Sequence, residues 1–161
     1  MPEILRSGGM SVVDAGFWAS IPTLVGVLSS LLIPMLATRE RRFYILIGLF
    51  ICAFVAVISI GHGSGAWLAG GLMMQGLARG AMMTIAILIL METPAVGAEN
   101  MGVAGGLFFT AAEIGGVLGP VGIGLMADRS GGFDSALLVL SMICLALVVL
   151  ALFVKWLERV A

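Results

Sequence analysis

Arg79 and Glu113 are the residues of this chain whose type and surroundings could do chemistry. Each lies near the middle of a long apolar run. An ionised group there costs roughly 2.5–3.5 kcal/mol on insertion scales, so each must face a polar cavity or a partner. A guanidinium in such a place attracts an anionic group, while a carboxylate either pairs with the guanidinium or carries a proton. A purely structural Arg79–Glu113 ion pair would account for the same two charges. Gln75 lies one helical turn before Arg79 and extends its polar face. Thr84 and Thr110 are weaker members of the set, because a helical threonine commonly bonds back to its own backbone.

Other chemistries lack their parts. The single histidine, His62, sits in a glycine-rich turn, and Cys52 and Cys144 lie inside apolar runs with no second ligand type at metal spacing. They read as small packing residues. Ser29, Ser30, Ser59 and Ser141 have no base beside them, and no paired carboxylates occur, so an intramembrane enzyme is disfavoured. No cofactor and no metal are implied.

The elements that must position these residues are membrane helices. The chain is 61% hydrophobic and 11% charged, against roughly 45–50% and about 25% in soluble domains. Five stretches reach the roughly 20 apolar residues that cross a bilayer: 11–37, 43–60, 66–91, 101–127 and 134–156. The links between them are short and carry charge or breakers, and none could hold a soluble domain. The fold class is therefore an all-α membrane protein in which residues 1–161 form one transmembrane helical domain. Ser11 with Asp14 fits a capping box for the first helix, and Asp134 suits the start of the last. Residues 1–10 hold Glu3, Arg6 and two glycines, which is not the pattern of a cleavable signal peptide.

Glycine is frequent inside these spans. Lipid supplies little drive between helices, so small residues allow close backbone approach instead. Gly76 and Gly80 in the third span, and Gly102 with Gly106 and Gly115 with Gly119 in the fourth, repeat the spacing of four. They predict a fourth helix packed tightly on a partner and bent near Pro120.

Lysine and arginine counts predict orientation. Arg39, Arg41, Arg42, Lys155 and Arg159 fall on one side and Arg6 and Arg129 on the other, which puts the C-terminus in the cytoplasm and the N-terminus outside. A net charge of −1 points to no nucleic-acid partner.

Three runs resemble the C-terminal portion of a major facilitator superfamily transporter, from its eighth helix to its twelfth. Leu31-Leu32-Ile33-Pro34-Met35-Leu36-Ala37-Thr38-Arg39-Glu40-Arg41-Arg42 is similar to a cytoplasmic loop pattern of that family, without its Gly and Asp. Thr93-Pro94-Ala95-Val96-Gly97-Ala98-Glu99-Asn100-Met101-Gly102 is like the loop before the eleventh helix. Glu113-Ile114-Gly115-Gly116 through Gly124, followed by Ala127-Asp128-Arg129-Ser130-Gly131-Gly132-Phe133, is common at the end of that helix. The resemblance implies a secondary transporter of the plasma (inner) membrane that binds a small solute between two six-helix halves and works by alternating access. It makes the third span the cavity-lining tenth helix, which favours Arg79 and Gln75, and places the fourth span between the halves. The second and fifth become peripheral and lipid-facing. It also implies that the domain is incomplete, the partners being the bilayer, the solute and the missing N-terminal half or another helical subunit. The competing reading is a non-transporting membrane subunit that associates through its glycine faces.

Overall fold

The computed structural model of the chain describes residues 9, 11–62 and 65–160, without the side chains of His62 and residues 158–160. Arg6 and the side chains of His62 and Arg159 lie outside the described residues. Five helices follow in order: α1 (Val12–Leu36), α2 (Arg42–His62), α3 (Ala66–Glu92), α4 (Gly97–Ser130) and α5 (Asp134–Val160). All five are long and apolar enough to cross a membrane, and the described residues contain no strand. This is an all-α integral membrane protein.

The helix bounds follow capping chemistry more than the edge of the apolar runs. Asp14 N–H donates to Ser11 Oγ at 3.1 Å, and the Ser11 hydroxyl donates to the Asp14 carboxylate at 2.6 Å, so the pair fixes the start of α1. Helix α4 begins at Gly97, earlier than its apolar run, because a first turn holding Glu99 favours the positive end of the helix dipole. It runs on through Pro120 and ends where Gly131 adopts φ 71°, with Gly132 N–H closing on the Ala127 carbonyl at 3.1 Å. Asp134 stands in the first turn of α5, where its carboxylate complements that dipole.

Helix α3 is the centre of the packing. Helices α1 and α2 lie along it, α5 lies along α2, and α4 touches α3 and α5 only lightly. Two apolar clusters hold the first three helices. One joins Ala15, Ile60, Leu68 and Leu72 near the α2–α3 link. The other joins Ala37, Leu49, Ala81 and Ile85 toward the opposite end. Leu72 and Ile85, both on α3, are the largest fully buried side chains. Gly71 lets α3 reach α2, since a Cβ there would stand 2.7 Å from Ser59 Cβ. The second span is thus packed on both α3 and α5 within this chain. Helix α4 has no buried residue, and where a Cβ would stand on Gly102, Gly106, Gly115 or Gly119 no atom of another helix lies within 4 Å.

At the end opposite the α2–α3 link, charge ties the helices together. Arg42 donates from Nε to the Ala37 carbonyl at 3.1 Å and meets Glu92 Oε1 through its guanidinium at 2.5 Å, while Arg39 stands 3.7 Å from the same carboxylate. Arg42 opens α2 and Glu92 closes α3, so each charge opposes the dipole of its own helix. They are compensated by each other. The Arg42–Glu92 pair is about three-quarters buried, whereas the Arg39 side chain is 74% exposed. A double-mutant cycle on thermal unfolding is therefore expected to give a coupling of about 1–2 kcal/mol for Arg42→Ala with Glu92→Ala, and under about 0.5 kcal/mol for Arg39→Ala with Glu92→Ala.

Candidate functional site

The site starts from the way α1 meets α3. A Cβ on Gly76 would stand 2.8 Å from Pro22 Cα, and one on Gly80 would stand 2.7 Å from Gly26 Cα, so the two backbones are in direct contact. Just past Gly26 on α1, the hydroxyl of buried Ser29 donates at 2.6 Å to the carbonyl of Leu77, which lies between the two glycines on α3. In lipid such a contact combines dispersion with one interhelical hydrogen bond.

Arg79 emerges beside this contact. It is the middle residue of α3, about 20 Å from either end at 1.5 Å per residue. Its side chain shares a groove with Pro22, Thr23, Gly26, Val27, Ser30 and Gly80, a hollow of about 290 Å³ between α1 and α3. That is near the low end of the roughly 300–1,000 Å³ of small-molecule pockets. The guanidinium makes no ion pair or hydrogen bond among the described residues. The Ser30 hydroxyl donates to its own Val27 carbonyl at 2.8 Å, which leaves its oxygen to accept. The groove therefore sets a guanidinium on α3 across from two hydroxyl groups, Thr23 and Ser30, on α1.

Gln75 does not line this groove. It lines a second cavity, of about 500 Å³, walled by α2, α3, α4 and α5 and including Val57, Pro120, Asp128 and Leu137. Its Oε1 is buried without a hydrogen-bond partner. Four residues advance a helix by slightly more than a turn, and the offset of about 40° separates Gln75 from Arg79 at the edge where α3 faces two different neighbours. Glu113 is at mid-length on α4, exposed, and forms no ion pair with Arg79. Thr110 donates to the Gly106 carbonyl at 2.7 Å, the back-bond anticipated for it.

Several partners of the site were not singled out by sequence reasoning. Gly26 and Ser30 form a small-xxx-small pair in the first span and carried a usable signal, as did Gly71 beside Gly70. Thr23, Ser29 and Glu92 carried none, because their roles depend on which helix lies opposite.

The family model of the Major Facilitator Superfamily matches residues 1–161. The chain belongs to the Major Facilitator Superfamily. It is similar to the protein named "Probable galactarate/D-glucarate transporter GudP" of Bacillus subtilis (strain 168), at 27% identity over 144 residues, which cover 83% of this chain and 31% of that protein. The chain thus spans under a third of that relative's length. No solved structure matches. The superfamily assignment agrees with five apolar helices joined by short links and with polar residues confined to a few intramembrane positions.

The geometry of this superfamily member separates its glycines by consequence. Gly76→Ala and Gly80→Ala each push a methyl into the backbone of α1 and are expected to lower Tm in detergent by about 3–8 °C. Gly70→Ala, which meets open space, is expected to leave Tm within about 1 °C. Equal Tm values for Gly80→Ala and Gly70→Ala would contradict the α1–α3 contact.

Proposed function

We propose that this chain forms helices eight to twelve of a secondary transporter that moves a small organic anion across the plasma (inner) membrane by alternating access. The observation that carries the reading is Arg79, a cation at mid-depth in a groove with hydroxyl groups and without an acidic partner among the described residues. The groove's size supports a small solute. The relative's named solutes, galactarate and D-glucarate, are hydroxylated carboxylates, and this supports an anion. In this reading Arg79 binds the carboxylate, Thr23 and Ser30 contact the hydroxyl groups, and Gln75 and Glu113 serve the translocation path away from that groove. The open glycine faces of α4, including Gly115 and Gly119 next to Pro120, meet the remaining helices of the protein or a separate helical subunit.

Orientation belongs to the same proposal. The end that gathers Arg39, Arg41, Arg42 and Lys155 faces the cytoplasm and the start of α1 faces outward. A fluorescent protein fused after Ala161 is expected to fold and fluoresce in intact cells, and a periplasmic alkaline phosphatase fused there is expected to be inactive.

A second reading has a specific observation behind it. Helix α4 buries nothing in this chain, which also suits a non-transporting subunit whose task is association. Uptake separates the two. In cells expressing the protein, uptake of a labelled sugar diacid is expected, with Arg79→Gln reducing it by about a hundredfold and Arg79→Lys by about tenfold, since lysine keeps the charge and loses the bidentate fork. Undiminished uptake by Arg79→Gln would remove Arg79 from the site. Absence of uptake of any tested anion by a protein that still co-purifies with another membrane chain would favour the subunit.

A further inference from the structure

We propose that the cavity between α2, α3, α4 and α5 binds a small organic amine carrying a hydroxyl group at its far end, with the ammonium at Asp128 and the hydroxyl at Gln75. The site lies away from the Arg79 groove and does not depend on which solute is carried there.

The polar groups of this cavity are all of one sense. Among the described residues that line its roughly 500 Å³, Gln75 and Asp128 have the polar side chains, and none is a cation. Gln75 Oε1 is buried without a hydrogen-bond partner. Asp128 is exposed at the cavity's edge and forms no ion pair among the described residues. Carboxylate and amide oxygens accept hydrogen bonds, so an occupant that satisfies both must bring donors, and one that neutralises the cavity must bring positive charge. The rest of the lining, including Ile123, Leu137 and Leu140, is apolar and calls for an apolar body between the two donors.

The two acceptors stand at opposite ends. Asp128 is two residues before the end of α4, and the cavity also takes in Ile60 near the end of α2 and Phe133 just before α5. Gln75 is nine residues into α3, about 14 Å from its start at the helical rise. Successive helices joined by short links alternate in direction, so α3 starts on the side where α4 ends, and Gln75 is the deep end. Pro120, which lines the same cavity, precedes Asp128 by eight residues, or about 12 Å along α4. A bare metal ion cannot bridge that length, since it needs several oxygens within about 2.6 Å. An elongated molecule can. Its charge belongs at Asp128, where exposure makes desolvation least costly, and Phe133 adds an aromatic ring at that end. The neutral hydroxyl is cheaper to bury and donates to Gln75 Oε1. Subtracting a hydrogen bond of roughly 2.8 Å at each end leaves about 6–7 Å between the two groups, which tyramine spans.

Binding is read by calorimetric titration of the purified protein in lipid nanodiscs, with empty nanodiscs subtracted. The probes are tyramine, phenethylamine, which lacks the hydroxyl, and 4-ethylphenol, which lacks the amine. Tyramine is expected to bind about fivefold more tightly than phenethylamine and about tenfold more tightly than 4-ethylphenol. Gln75→Leu is expected to remove the advantage over phenethylamine and keep that over 4-ethylphenol, and Asp128→Asn to do the reverse. Gly124 lines the cavity and a Cβ there meets no atom within 4 Å, so Gly124→Leu is expected to keep Tm while abolishing binding of all three probes. Should Gln75→Leu fail to fold, Gln75→Met keeps the length of the side chain and carries the same expectation. The proposal is overturned if the native protein does not bind tyramine, if either advantage survives the removal of its acceptor, or if Gly124→Leu binds tyramine as the native protein does.

Discussion

The Arg79 groove at mid-depth in this protein depends on the contact of two backbones, α1 on α3. Lipid tails are as apolar as the helices they surround, so burial cannot hold one helix on another as it does in water. Close approach must supply the attraction, and it is available only where side chains are absent or minimal. Pro22 against Gly76 and Gly26 against Gly80 provide that approach, and Ser29 adds a hydrogen bond to the Leu77 carbonyl. Two apolar clusters close on either side of this contact, one at each end of the three-helix core. The contact is also what puts a charge at the centre of the bilayer within reach of polar groups. Arg79 is the neighbour of Gly80, so the closeness of α1 at that level decides which α1 residues line its groove.

The ends of the helices obey a different constraint. A cation opening α2 and an anion closing α3 are each unfavourable against their own helix. Bringing Arg42 onto Glu92 removes both penalties and ties the α1–α2 link to the end of α3, with the Ala37 carbonyl as a third point. The core helices are therefore joined by backbone contact at mid-depth and by charge at one surface. Helix α4 has neither, which accounts for its light packing and its open glycines.

Much of this is legible in the order of the residues. Five spans follow from apolar length and from the breakers between them, because hydrocarbon demands internally bonded helices of about that length. Arg79 stands out for the same reason, as a charge where a charge is costly. What the residue order does not convey is which faces meet. Gly76 and Gly80 announce a close contact but not that α1 is the partner, and Gln75 reads as sharing a face with Arg79 although it lines another cavity. Helical periodicity fixes angles within one helix only. Glu92 shows the limit most clearly: alone it is an acid at the wrong end of a helix, and it acquires a role only when Arg42, far away in the chain, is placed beside it.

In the proposed function Arg79 presents its charge to an anion in the α1–α3 groove. The most direct measurement is the reactivity of a cysteine placed at Thr23 on the facing helix, with Cys52 and Cys144 replaced, toward anionic and cationic thiosulfonate reagents of equal size. The anionic reagent is expected to react faster, a sugar diacid to protect the thiol, and Arg79→Gln to abolish both effects. Reaction rates that ignore the charge of the reagent and the presence of Arg79, or no reaction at all, would contradict it.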